Sequence, residues 1–230
     1  MSLFNPVEAL CPNCGTPLRS ALVASVNADR RPDLRRDIIS GRFQVHACAI
    51  CDTVWRLPPT FTYMHLAQNQ WILAQPPENL PLWREAEART LEVFNTGYGP
   101  KAPTAAREIG ATLRARLVFG WPALREKLLA VDLGLEDVSL ELLKMAVLRN
   151  VQRPPFADDH ELRLDGGDAT TLNLAWMNSN TEAIVARLPV PRDIYDDVAG
   201  DIAWDALRAE LTEGPFVDMN RLLVPATPAA

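Results

Sequence analysis

The sequence predicts an α+β protein with three parts. These are an N-terminal antiparallel β module of zinc-ribbon type carrying a strand–helix–strand insert, a helical middle, and a small C-terminal αβ part. Three observations carry this. Two C-x-x-C pairs, Cys11/Cys14 and Cys48/Cys51, bracket a β-rich stretch. Apolar residues then recur at helical spacing from residue 80 to residue 150. Three short segments of strand-like composition, separated by "GGDA" and "NSNT", follow residue 160. The expected regions are 1–78, 79–152 and 153–224, with a tail at 225–230.

Each C-x-x-C is a metal-ligand spacing. Two intervening residues let the chain wrap so that both sulfurs face one point, about 2.3 Å from a zinc ion. "CPNCG" has Pro12 to stiffen the turn and Gly15 to take positive φ after the second cysteine. "CAICD" replaces these with Ala49 and Asp52, and Asp tolerates left-handed backbone better than most residues. The 33 residues between Cys14 and Cys48 exceed the roughly 15–20 of a common ribbon. A folded insert accommodates them, because doubling a loop costs only about 0.6 kcal/mol. Within it, 17–27 and 42–47 read as strands. Residues 31–40 read as a helix with Pro32 near its start, Gly41 after its end, and Leu34, Ile38 and Ile39 on one face.

Strands are expected at 53–57, 60–66 and 71–75, the last two joined by a hairpin turn at "AQNQ", with Phe61, Tyr63 and Trp71 packed in or against an antiparallel sheet. Helices are expected at 80–96, with Leu91 and Phe94 on one face, and at 103–120, with Thr104 as N-cap and Gly120 at the end. Two more follow at 121–134 and 135–150, the last apolar around much of its circumference and therefore central. Phe119 and Trp121 mark a corner between helices. Beyond "QRPPFADDH", strands at 161–165, 170–178 and 182–190 precede two short helices, 191–200 and 202–211.

The leading cofactor expectation is one structural Zn2+ per chain on Cys11, Cys14, Cys48 and Cys51. A thioredoxin-type redox site needs one pair at a strand-to-helix junction of a βαβ unit, which this frame lacks. An iron–sulfur cluster is a second use of four thiolates, less suited to two knuckles. His46, two residues before Cys48, is expected as a packed or supporting side chain.

At these residues the chain resembles the CpXC proteins, a bacterial family named for paired Cys-Pro-x-Cys motifs. The resemblance rests on "CPNCG" at 11–15, "SVNADRRPDLRRDIISGRFQ" between the knuckles, "FTYMHLAQNQWILAQP" at 61–76 and "RLVFGWPALREKLL" at 116–129. It spans about residues 5–150 and implies a bound zinc; it does not supply a function. "CAIC" departs from the motif by lacking the proline, while all four cysteines remain.

Composition narrows the function. The 230 residues are 48% hydrophobic and 23% charged, as in soluble globular proteins. No apolar run approaches the ~20 residues of a membrane helix. "MSLFNPVEAL" lacks a basic leader, so a cytoplasmic protein with reduced cysteines and no membrane partner is expected. The net charge of −6 is uneven: residues 1–75 carry seven Arg against five acids, and the rest of the chain is acidic. Arg30, Arg31, Arg35, Arg36 and Arg42 are interleaved with Asp29, Asp33 and Asp37, which fits a solvated helix face better than a nucleic-acid patch. The three histidines, His46, His65 and His160, sit in no catalytic frame. "DGGD" (165–168) reads as a turn and "DDH" (158–160) as a linker. Four thiolates on one zinc leave no open position for catalysis. The expectation is therefore a non-enzymatic adaptor whose helical and C-terminal surfaces contact another protein, with nucleic-acid binding through the arginine-rich insert as the alternative.

Overall fold

The structure, a computed structural model, describes residues 2–224 apart from 154, 156 and 158. Its first element, β1 (Leu3–Leu10), pairs antiparallel along its whole length with β2 (Pro17–Asn27). β2 occupies the span that its alternating residues predict. β1 was not expected. Asn5, Pro6 and Glu8 break its apolar pattern, which an edge strand with mostly exposed side chains tolerates.

After β2 the chain forms α1 (Pro32–Ile39), which buries Leu34 and Ile38 and stops before Gly41. The strand expected at 42–47 shrinks to β3 (Val45–Ala47), because Gln44 adopts φ 58° and Phe43 turns into the core. β3 pairs only with β4 (Val54–Arg56), so the second cysteine pair hangs on a separate two-stranded hairpin. β5 (Phe61–His65) and β6 (Gln70–Gln75) rejoin the main sheet. The turn between them is a 3-10 turn closed by Asn69 at φ 54°.

The main sheet is mixed, a correction to the antiparallel expectation. β5 lies parallel to β2, the crossover running through α1 and the hairpin. A larger correction concerns residues 103–120. The helix there, α3 (Thr104–Gly110), ends early, with Pro103 rather than Thr104 at the cap position. Residues 114–119 form β7 (Arg114–Phe119), parallel to β6. Leu117, Val118 and Phe119 are buried in succession, and Leu117 N–H donates to Pro215 O across the sheet's outer edge. The corner at Gly120 thus joins a strand to a helix. Phe119 packs on Phe216, whereas Trp121 packs on Phe43 and Phe61. Between β6 and β7 runs α2 (Trp83–Tyr98), which buries Trp83 and Thr90 and leaves Leu91 exposed.

α4 (Gly120–Asp132) and α1 cover one face of the main sheet. Their apolar contacts include Phe61, Tyr63, Ile72, Leu124 and Leu128, all at most 2% exposed. Trp71 is buried too, so all three aromatics expected in the sheet are packed. α5 (Asp137–Asn150) is central as expected, with Val138 to Lys144 all buried. It packs against an antiparallel sheet of β8 (His160–Gly167), β9 (Thr171–Asn178) and β10 (Ile184–Pro191). α6 (Arg192–Gly200), α7 (Asp205–Leu211) and α8 (Asn220–Leu223) complete the chain, and "PATPAA" lies outside the described residues. Among the described residues no helix is long and apolar enough to cross a membrane.

Candidate metal centre

Two turns of matching geometry build the site. In the first, Cys11 N–H donates to Thr16 O and Gly15 N–H donates to Cys11 O, each at 2.9 Å. In the second, Cys48 N–H donates to Thr53 O at 2.9 Å and Asp52 N–H donates to Cys48 O at 3.0 Å. Both turns need left-handed backbone after the second cysteine, and Gly15 (φ 70°) and Asp52 (φ 54°) supply it. The shared pattern is C-x-x-C-[G/D]-T, and the threonine has a chemical role in both. Thr16 Oγ1 is 3.1 Å from Cys14 Sγ, and Thr53 Oγ1 is 3.2 Å from Cys51 Sγ. A thiolate can only accept, so once the cysteines are deprotonated each hydroxyl donates to its sulfur and stabilises the charge. The Thr53 contact lowers the Cys51 thiol to about 6, and Thr16 lowers Cys14 in the same way. Cys11 is pushed up to about 11 by burial. Ile50 N–H donates to Cys48 Sγ at 3.4 Å, the backbone contact expected of such a turn.

The fold brings the four cysteines together across the 33-residue insert. Cys11 and Cys51 sulfurs are 3.6 Å apart, Cys14 and Cys48 sulfurs 3.5 Å, and all four lie within 4.8 Å of one another. None is in a disulfide. Four thiolates about 2.3 Å from a tetrahedral ion stand roughly 3.8 Å apart, so these sulfurs fit around one metal ion. The full set also fills a four-coordinate ion's shell. His46 stays out of it: its Nε2 is 3.2 Å from Ser20 Oγ and its ring leans on Trp55. Burial lowers the His46 pKa, favouring the neutral ring.

A second acidic group, Glu126, Glu141 and Asp218, has carboxylate oxygens within 4.8 Å of one another. Cations of the protein itself occupy its centre. Lys144 Nζ lies 2.9 Å from Glu126 and 2.6 Å from Glu141, and Arg163 Nη1 lies 3.0 Å from Glu126 and 2.5 Å from Asp218. The sequence reading did not single out this cluster. Its signal was Glu141 and Lys144 inside an otherwise apolar helix, where charged residues are buried only if paired.

The arginine-rich insert is largely neutralised. Arg31 pairs with Asp33, Arg35 with Asp132 of α4, and Arg42 with Asp37. Asp168 of "DGGD" accepts from Thr170 N–H and Thr171 N–H, which closes the turn between β8 and β9. His160 Nδ1 contacts Pro155 O at 2.7 Å.

Comparison with curated proteins and with solved structures returned no match. A family model described as "CpXC protein" matches residues 9–144, more than half of the chain. That segment contains all four cysteines, the main sheet from β2 to β7, α4, and the part of α5 that ends on Lys144. Two C-x-x-C turns converging on one centre within that match place this chain in the CpXC protein family.

Proposed function

We propose that this protein is a non-enzymatic cytoplasmic adaptor whose four-cysteine centre holds one structural zinc ion. One observation carries the adaptor reading: large apolar side chains project into solvent from the segments that bear the cysteines. Leu10 is 66% exposed, Ile50 73% and Val54 65%. Scattered exposed apolar residues are ordinary, but three flanking one centre form an apolar display whose shape the ion would hold rigid. Zinc is favoured because four thiolates complete its tetrahedral shell, and its binding free energy then becomes folding free energy. The test compares proteins crosslinked to the wild type with those crosslinked to Leu10→Ser/Ile50→Ser, a pair of surface changes. Loss of a specific partner from the variant supports the reading, and an unchanged set of captured proteins refutes it. Elemental analysis after purification without chelator should give one zinc per chain.

The second reading is nucleic-acid binding through the insert, favoured by the exposure of Arg30 and Arg36. The ion pairs of Arg31, Arg35 and Arg42 weigh against it. It requires binding to mixed DNA or RNA that weakens steeply with salt and is lost in Arg30→Ala/Arg36→Ala.

A further inference from the structure

The β3–β4 hairpin has two dissimilar faces. Its register pairs Val45 with Arg56 and Ala47 with Val54, so Val45, Val54 and Arg56 share one face, while His46 and Trp55 share the other. The first face looks across a cleft of about 470 Å³ toward the C-terminal sheet, with Arg125, Met177, Glu182 and Ile184 in the walls. That volume falls within the roughly 300–1,000 Å³ of small-molecule sites. The cleft leaves apolar surface wet: Val45 is 41% exposed and Val54 65%.

Arg56 is the polar anchor of this cleft. Its side chain is only 9% exposed, and its guanidinium stacks 3.7 Å from the Trp121 ring centroid. Nε donates to Phe43 O and Nη1 donates to Glu182, each at 2.7 Å, while the buried Nη2 has no hydrogen-bond partner among the described residues. Buried donors are rarely left unmade, and each exception calls for an explanation. Arg125 adds a second guanidinium to the walls, bonded to Asp165 and to Ile39 O. Glu182 reaches Arg56 from a left-handed backbone (φ 60°) that is costly for a glutamate. Asn178 holds it there: its carbonyl accepts from Glu182 N–H and its side chain from Thr181 N–H. The chain therefore already sets one carboxylate on Arg56, from a strained position, and leaves an adjacent donor vacant.

The geometry points to a binding site for a small monocarboxylate with a flat apolar body, its carboxylate on Arg56 and its body between Val54 and Ile184. A single carboxylate suits the site, because Glu182 and Asp165 already face Arg56 and Arg125 and the two N–H groups of Arg56 Nη2 are left. The apolar walls suit a body without further charge. The site shares Val54 with the apolar display on the knuckles but rests on Arg56 and Glu182, and the Leu10→Ser/Ile50→Ser test of the adaptor reading touches neither.

Calorimetric titration of the full-length, metal-loaded protein with phenylacetate, and with phenylacetamide as neutral isostere, tests it. A charge-assisted hydrogen bond gives the acid an advantage of about tenfold or more over the amide. Glu182→Gln removes the competing internal carboxylate and should tighten phenylacetate binding several-fold. Val54→Trp fills the cleft from an exposed position and should abolish binding. Equal affinity for acid and amide, no binding of either, or phenylacetate binding unmoved by both substitutions overturns the proposal. Circular dichroism of each variant separates loss of binding from loss of fold.

Discussion

Lys144 on α5 donates to Glu126 on α4 at 2.9 Å, and both side chains are wholly withdrawn from solvent. The pair anchors a buried network that reaches past the end of the family match. Glu126 Oε2 accepts from Leu164 N–H of β8, Glu126 Oε1 and Asp218 share Arg163, and Glu141 Oε2 accepts from Met219 N–H. The helices of the family segment are thus joined to the C-terminal sheet by charge as well as by apolar packing. Replacing Lys144 with Met leaves Glu126 to Arg163 alone and Glu141 to the more distant Lys127, and breaking a buried pair costs about 3–5 kcal/mol. Lys144→Met should lower the unfolding free energy by that much, whereas Lys144→Met/Glu126→Gln/Glu141→Gln, which removes the under-compensated charges, should recover part of the loss. Urea unfolding followed by tryptophan fluorescence distinguishes the two.

Glu141 makes this network sensitive to pH. Burial pushes its carboxyl up to about 7, against 4.5 for an ordinary glutamate, and Asp218 and Glu126 add like charge while Lys144 and Lys127 oppose the rise. Among the described residues its Oε1 accepts no hydrogen bond, and Lys127 Nζ lies 3.5 Å from it. The folded state therefore binds a proton more readily than the unfolded chain. Stability from this group is present below the unfolded pKa and is lost as pH rises toward 7. Asp218 acts in the opposite sense: held down to about 2 against its own burial, chiefly by Arg163, it contributes stability that is lost as pH falls through the acid range. Comparing wild type with Glu141→Gln at each pH from 5 to 8 cancels contributions common to both, including any from the metal centre. The difference should favour Glu141→Gln increasingly as pH rises, and a difference that does not change with pH contradicts the assignment.

The two cysteine turns differ at one residue with a measurable consequence. Gly15 and Asp52 occupy equivalent left-handed positions, and only glycine does so without strain. A left-handed L-residue costs about 1–2 kcal/mol. Asp52→Gly should therefore tighten the centre and Gly15→Ala should loosen it. No atom lies within 4 Å of the added Cβ at Gly15, so the loss would report backbone conformation alone. Competition against a chromophoric zinc chelator measures both. Cys14→Ser should lower soluble yield and leave substantially less than one zinc per chain.

Local chemistry was the most legible part of the sequence. The cysteine turns are set by spacing and by the residue at positive φ. β2 and α1 are set by their own periodicity and by Pro32 and Gly41. Features decided by distant partners were not legible. β1 carries few buried side chains and is a strand because β2 lies beside it. Arg56 and Glu182 are 126 positions apart, and no local pattern joins them. Residues 112–119, "TLRARLVF", mix good helix formers with strand formers, and pairing to β6 and to Pro215 decides for the strand.

The end of α3 shows how that decision is enforced, and it can be tested. Gly110 closes the helix against α2: a Cβ there would sit 2.6 Å from Tyr98 Cβ and 2.8 Å from Tyr98 O. Backbone on one side and a ring's root on the other leave the neighbour little room to move. Tyr98 is itself held by stacking on Phe94 and by its hydroxyl donating to Met64 Sδ at 3.1 Å. Gly110→Ala should therefore force α3 away from α2, although alanine favours helix by about 1 kcal/mol over glycine. Overpacking of this kind costs roughly 1–3 kcal/mol, so the net change should be destabilising. Gly97→Ala on α2, where the added Cβ meets nothing within 4 Å, is the matched control and should be neutral or stabilising. Thermal unfolding of the two variants side by side checks the sign: if Gly110→Ala is as stable as Gly97→Ala, the close approach of α3 to α2 does not set where the helix ends.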